Sequence, residues 1–309
     1  MTGKIEPTNS ESGTGEGISV RNRTEIESLQ RVLDVMLDPI NQVFLHSHML
    51  RSWGHSLGLA RHREWVEKMR RALPVVAALD ARGAAPRSRE STNLDIGTNS
   101  REVLESDASQ AREFIVEVKT ALESFKSADE TALLEDVLNS ERKDLTRLES
   151  WCAGPQAREG AQNRKHLMPK PGGAQSAIDA LDAVLPDMTA AVSQFFYYSL
   201  MYKARRETDL AARELDAAVT MMFRTQALLE RLLDLGGIPG GAGHGRIDIN
   251  EGKQAADETA IIAHRRIVAV LERALGTLDG IVDPMTHTLM DGVLRTEREQ
   301  ISIRKIRLG

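Results

Sequence analysis

Residues 29–44 read Leu-Gln-Arg-Val-Leu-Asp-Val-Met-Leu-Asp-Pro-Ile-Asn-Gln-Val-Phe, and their apolar side chains recur every three or four positions. An α-helix turns once in about 3.6 residues, so this spacing places those side chains on one helix face. The face consists of Leu29, Val32, Leu33, Met36, Leu37, Ile40, Val43 and Phe44. The stretch therefore predicts a long amphipathic helix that packs against other helices.

The same periodicity extends over seven further segments, and no segment has the alternating pattern of a convincing strand. These segments are 61–82, 100–126, 128–150, 176–205, 208–235, 250–279 and 283–306. Each half of the chain has two helices, a long connection and two more helices. This order is typical of a four-helix bundle with one long crossover. We therefore expect an all-α fold built from two such bundles.

The two halves also resemble each other in sequence. Ile40-Asn41-Gln42-Val43-Phe44 matches Val192-Ser193-Gln194-Phe195-Phe196, and Met69-Arg70-Arg71 matches Met222-Phe223-Arg224. In the fourth helices, residues 137–142 match residues 293–298. This similarity indicates an internal duplication. We expect a first domain over 25–150, a linker over 151–175 and a second domain over 176–309, preceded by a disordered Gly-, Ser-, Thr- and Glu-rich tail over 1–24.

The composition excludes several classes of protein. The chain has 309 residues, of which 41% are apolar and 28% charged, as in ordinary globular proteins. A net charge of −5 gives no general attraction to nucleic acid. No apolar run approaches the ~20 residues of a membrane span, and the first residues lack a secretory signal. The single cysteine, Cys152, excludes a disulfide framework and any multi-cysteine metal site. We expect a cytoplasmic protein that contacts neither nucleic acid nor membrane.

Residues 40–46, followed by Trp53-Gly54, resemble the first helix of bacterioferritin. The resemblance continues through residues 64–69, Gly83 to Pro86, residues 93–97 and residues 104–107. It covers essentially all of 25–150, and 180–303 more weakly. It implies two ferritin-like bundles in tandem, packed as a pseudo-two-fold dimer. It also implies two cofactors, a di-iron ferroxidase centre inside each bundle and haem b held between two bundles by one methionine from each.

The positions that correspond to the ferroxidase ligands have largely lost ligand-type side chains. They are Met36, Lys68, Arg71, Ala111, Glu141 and Asp144 in the first half, and Met188, Met221, Arg224, His264, Glu297 and Gln300 in the second. Lysine and arginine are cations rather than metal ligands. We therefore predict salt bridges from Lys68, Arg71 and Arg224 to the remaining carboxylates inside the bundles. No di-iron centre and no ferroxidase activity are expected.

The haem position, by contrast, keeps its sulfur ligand in both halves. Met69 and Met222 correspond to the family's axial methionine, and a thioether suits low-spin haem iron. The surrounding haem-pocket positions are Ile40, Asn41, Phe44, Val192 and Phe196. The resemblance implies one haem b per chain, between the two domains. The alternative is that both methionines fill the core, as a methionine on a helix face usually does.

These expectations lead to three hypotheses about function. The first is a haem-binding, ferroxidase-inactive protein that serves electron transfer or iron and haem storage, with a redox partner. The second is a structural shell, scaffold or cargo protein without a cofactor. The third is a single-metal oxidase that uses His264 and Glu297. A homo-oligomer or co-assembly with a ferritin or shell protein is expected, and the basic pairs Arg205-Arg206 and Arg304-Lys305 are interpreted as solvated helix ends.

Overall fold

The computed structural model describes residues 13–90, 93–125, 128–159, 174–240, 245–252, 254–278 and 283–309. Helices dominate these residues, which confirms the all-α prediction. The helices are α1 (Gly13–Ser52), α2 (Gly58–Asp80), α3 (Ser100–Leu122), α4 (Ala128–Ala153), α5 (Ala174–Ala204), α6 (Thr208–Asp234), α7 (Ala255–Leu278) and α8 (Pro284–Leu308).

The structure corrects three boundaries. Residues 13–24, assigned to a disordered tail, form the first turns of α1, and the rest of that tail lies outside the described residues. Residues expected in the linker instead extend α4 to Ala153 and form a short 3₁₀ helix over Pro155–Arg158. Residues 160–173 of the linker also lie outside the described residues. Finally, α7 begins at Ala255 rather than near residue 250.

The helices pack as two groups of four. In the first group, α1 packs against α2 and α3, while α4 packs against α3 and α2. The second group repeats these pairings, because α5 packs against α6 and α7, while α8 packs against α7 and α6. The groups meet through contacts of α2 with α5 and of α1 with α6. Most of the apolar residues that the amphipathic helices bury form one continuous core across both groups, and a smaller cluster lies between α3 and α4.

The first helix of each group runs antiparallel to that of the other. The Tyr197 hydroxyl donates a hydrogen bond to the backbone oxygen of Leu33 (3.3 Å). Asn41, which follows Leu33 on α1, contacts Ser193, which precedes Tyr197 on α5. At the end of the molecule, Arg205 after α5 lies against Asp80 of α2, with 2.6 Å between Nε and Oδ1. The two groups are therefore joined side by side with opposed helix directions.

The two long connections meet as a short sheet that the sequence does not predict. Strand β1 (Arg89–Glu90), between α2 and α3, pairs antiparallel with β2 (Arg246–Ile247), between α6 and α7. The backbone nitrogen of Ile249 also donates to the Ser88 hydroxyl (2.8 Å), which ties the connections together. None of the described helices has an apolar stretch long enough to cross a lipid bilayer.

Candidate functional site

A cavity of about 430 Å³ lies between α2, α5 and α6, where the two helix groups meet. Met69 lines it from α2 and Met222 from α6, while Val192 and Phe196 line it from α5. The volume falls in the range of about 300–1,000 Å³ that is usual for small-molecule sites. The two methionines predicted as a pair therefore lie on one cavity, although they are 153 positions apart in the sequence.

A much smaller cavity, about 20 Å³, adjoins the first and reaches towards α1. Ile40, Asn41 and Phe44 line this smaller cavity and not the larger one. The two cavities share Trp65, Met69, Val192 and Phe196 in their walls. The seven residues predicted around one site are thus divided between two connected spaces, with Met69 bordering both and Met222 only the larger.

Trp65 stands between the two cavities, and its role in the site is not evident from the sequence. Its side chain is buried, and its ring centroid lies 5.2 Å from that of Phe44. The indole N–H has no hydrogen-bond partner among the described residues. The corresponding position on α6 is Ala218, which also lines the larger cavity. The two sides of the site therefore differ in bulk, and the α2 side carries an unused hydrogen-bond donor.

The larger cavity has a basic edge. Arg70 and Lys203 supply its positive charge, His62 also lines the cavity, and none of the described residues that line the cavity is acidic. Arg70 and Lys203 are exposed to solvent, and Arg70 contacts Glu67 on the same helix at 2.9 Å. Their position next to the methionines predicts attraction of an anionic group at the edge of the cavity. Arg70 follows Met69 directly in the sequence, and this adjacency is the sequence feature from which a basic residue at the site could have been predicted.

His62 belongs to a cluster of rings behind the cavity. The His48 centroid lies 4.9 Å from that of Phe44 and 5.6 Å from that of His62, which in turn lies 5.3 Å from Trp65. Burial, together with the nearby His62 and Arg51, lowers the pKa of His48 to about 4. Burial and Arg51 also lower the pKa of His62. Both imidazoles are therefore neutral near pH 7.

Inside the first helix group, four of the positions that correspond to ferroxidase ligands in the resemblance form ion pairs. Lys68 Nζ contacts Glu141, and Arg71 Nη1 lies 2.7 Å from Asp144 and 3.3 Å from Glu141. These contacts confirm the predicted salt bridges. The remaining two positions, Met36 and Ala111, are buried among apolar side chains.

A second buried charge cluster lies next to these pairs in the first group. Arg61 contacts Glu64, and its Nη2 lies 2.5 Å from Asp107. His46 Nδ1 also lies 2.8 Å from Asp107. Burial alone would raise the pKa of Asp107, but Arg61 and His46 outweigh it and hold that pKa well below its usual range. The sequence does not predict this cluster, since its members come from three different helices.

In the second group, Arg224 Nη1 lies 2.7 Å from Glu297, and His264 Nδ1 lies 2.5 Å from the other oxygen of that carboxylate. Arg224 and Glu297 thus form the ion pair that the sequence predicts. Met188 and Met221 are buried, and Gln300 lines a separate small cavity. Over the part of the chain that the structure describes, no group of three or more His, Cys, Asp or Glu is placed to hold a metal ion.

No model of a known protein family matches this chain. The main features of the site are an apolar cavity between two similar helix groups, one thioether from each group and a basic edge. Such a cavity suits an apolar ligand that carries an anionic group.

Proposed function

We propose that this chain is a tandem ferritin-like protein of the bacterioferritin type that binds one haem b between its two halves. Met69 and Met222 would be the axial ligands, and the protein would serve electron transfer or iron and haem storage. The observation that carries the proposal is that methionines at equivalent positions of the two sequence repeats line a single cavity. Both methionines are partly buried and pack against the core, so substitution of each one separates ligation from core filling.

The cavity residues fit such a group. Val192, Phe196 and their apolar neighbours would pack against the bound group, and Trp65 offers a free N–H donor at the wall. Arg70 and Lys203 would hold the propionates at the basic edge. When bound, haem supplies one-electron redox chemistry, whose potential the two thioethers and the degree of burial tune. The role of the chain is to bind, orient and desolvate it.

The contacts between the helix groups support the tandem pseudo-two-fold arrangement. Asn41 and Ser193 occupy equivalent positions of the repeats, and their side chains meet. Equivalent residues come together in this way where they lie near a two-fold axis. The antiparallel pairing of β1 with β2 joins the equivalent long connections as well.

The proposal includes no ferroxidase activity and no other catalysis by the chain. The buried carboxylates Glu141 and Glu297 already contact cations that take the place of metal. The single-metal oxidase hypothesis has two ligand-type residues in contact, His264 and Glu297, and Arg224 competes for the second. We therefore do not favour that hypothesis.

A structural role without a cofactor is the second candidate. One observation favours it, an apolar stripe on α6 formed by Leu215, Val219 and Phe223, with Phe223 60% exposed. Such a stripe is typical of a surface that packs against another protein in an assembly. Leu215 and Val219 also line the 430 Å³ cavity, so a bound haem would cover part of the stripe.

Haem titration of the purified full chain distinguishes the two candidates. We expect the wild-type protein to give a low-spin spectrum with the near-infrared band of bis-thioether ligation. Met69→Leu and Met222→Leu should each lose that band. Met36→Leu and Met221→Leu are matched controls, since both residues are buried away from the cavity between the groups, and these conservative changes keep core volume. Unchanged ligation in Met69→Leu or Met222→Leu would contradict the proposed ligands.

The basic edge is tested separately. Arg70→Gln and Lys203→Gln should each weaken haem binding by up to about fivefold, because an exposed ion pair contributes at most about 1 kcal/mol. Arg63→Gln is the matched control, as Arg63 is exposed on α2 and does not line the cavity. Equal affinities for all three variants would exclude the basic edge as the propionate site.

A further inference from the structure

A cavity of about 90 Å³ lies inside the second helix group, where α6, α7 and α8 meet. Arg213, Arg224, Arg304 and Arg307 line it together with His264. The exposed Asp216 is the acidic residue among the described members of its wall. The cavity is distinct from the site between the two groups, and it includes positions that correspond to the ferroxidase ligands of the resemblance.

The arginines of this cavity share the carboxylates behind them. Arg304 Nη1 lies 2.8 Å from both Glu214 and Asp257, and Arg213 shares the same two carboxylates at 2.8 and 3.3 Å. Arg307 reaches only Asp257, at 3.7 Å. Asp257 is thus shared by three guanidinium groups, while Glu297 pairs with Arg224.

One of these guanidinium groups keeps an unused donor. The side chain of Arg304 is 2% exposed, and its Nε–H has no acceptor among the described residues. Arg224 contacts Glu297 through Nη1, and a guanidinium group has five N–H donors in all. A guanidinium group that is only partly paired attracts an anion into the space beside it.

The first helix group shows a partner that Arg224 lacks. Arg71, the equivalent of Arg224, contacts Asp144 as well as Glu141. In the second group the position of Asp144 holds Gln300, which lines the cavity. One carboxylate of the first group is thus replaced by an amide beside an open space.

We propose that this cavity binds a small tetrahedral oxyanion of the phosphate or sulfate class, which takes the place of the missing carboxylate beside Arg224. Guanidinium groups bind such oxyanions through paired, charge-assisted hydrogen bonds. A cavity needs only ~15 Å³ to hold a water molecule, so the space here exceeds that of a single water. The proposal does not depend on haem binding, because none of these arginines lines the cavity between the groups.

Calorimetric titration of the full chain with inorganic phosphate, and separately with sulfate, tests the proposal. The informative variant is Gln300→Glu, which restores a carboxylate beside Arg224 with nearly unchanged shape. We expect it to weaken phosphate binding at least about tenfold, equivalent to about 1.4 kcal/mol. Ser302→Glu is the matched control, since it adds the same charge to an exposed position of α8 outside the cavity and should leave binding unchanged.

A second variant guards against misfolding. Removing Arg304 would leave Glu214 and Asp257 partly unpaired in the interior, whereas Arg307 is exposed and can be changed safely. Arg307→Gln should weaken phosphate binding several-fold and leave the thermal midpoint of the anion-free protein unchanged. Wild-type affinity weaker than about 1 mM for both anions would overturn the proposal. So would equal affinities of wild type and Gln300→Glu.

Discussion

Ser193 Oγ donates a hydrogen bond to Asn41 Oδ1 over 3.0 Å, and both side chains are buried where α1 meets α5. The two residues stand at corresponding places in the sequence repeats, 152 positions apart. Together with the hydrogen bond from Tyr197 to Leu33, this contact shows that α1 and α5 face each other with opposed directions.

Ser193→Ala should lower the free energy of unfolding by about 1–3 kcal/mol, because it leaves the buried amide oxygen of Asn41 without its donor. Urea unfolding followed by far-ultraviolet circular dichroism measures the change. Ser302→Ala on the exposed face of α8 is the control and should shift the free energy by less than about 0.5 kcal/mol. Equal stabilities of the two variants would show that this contact does not hold the halves together.

Lys68→Met copies into the first half the residue found at the equivalent position, Met221. It should lower the free energy of unfolding by about 1–3 kcal/mol, since Glu141, which is 1% exposed, loses its closest cation and, among the described residues, keeps only Arg71, at 3.3 Å. Adding Glu141→Gln should recover part of that loss, because the carboxylate that lost its closest cation is then neutral.

The control for this pair is Lys143→Met, an exposed lysine on α4. It should leave the free energy of unfolding nearly unchanged. If Lys68→Met lowers the free energy of unfolding no more than Lys143→Met does, the buried ion pair between Lys68 and Glu141 does not stabilise the first helix group.

His48→Leu should reduce the loss in free energy of unfolding that occurs as the pH falls below 6.5. The folded-state pKa of about 4 lies below the unfolded value of 6.5, so the unfolded chain binds more protons between these pH values. Stability is therefore lost as pH falls from 6.5 to 4, by about 3 kcal/mol for this residue. The leucine variant, which carries the residue found at position 200 of the second half, should lose correspondingly less.

His287→Leu serves as the control, because His287 is exposed on α8. Its free energy of unfolding should change with pH as that of the wild type does, when it is measured by urea unfolding at intervals from pH 7 to pH 4. If the free energy of unfolding of His48→Leu falls with pH as steeply as that of the wild type, the neutral buried imidazole is not the source of the acid sensitivity.

Much of the helical framework could be predicted from the sequence. The segment 208–235 is found as α6 over Thr208–Asp234, since a long amphipathic stripe leaves little choice of structure. The start of α1 was missed, because residues 13–24 contain few large apolar side chains and many Gly, Ser and Thr. The β1–β2 pair was also missed, as two-residue strands carry no periodicity.

The site was only partly predictable. Met69 and Met222 were identified through the repeat, but Trp65 and Lys203 reach the cavity only because α2 packs against α5. Such placement depends on tertiary contacts, which local patterns do not encode. Arg304 shows the same limit, since the prediction of a solvated helix end is wrong for a side chain that is 2% exposed and paired with Glu214. Its neighbour Lys305 is exposed, as predicted.

Native mass spectrometry of the haem-reconstituted full chain tests the central claim most directly, because it counts haem groups and subunits in the same particles. The account predicts one haem per chain, whatever the number of chains in the assembly. It also predicts loss of that haem in the Met69→Leu, Met222→Leu double variant, with the subunit number kept. A chain that binds no haem, or that keeps one haem without both methionines, would contradict the account.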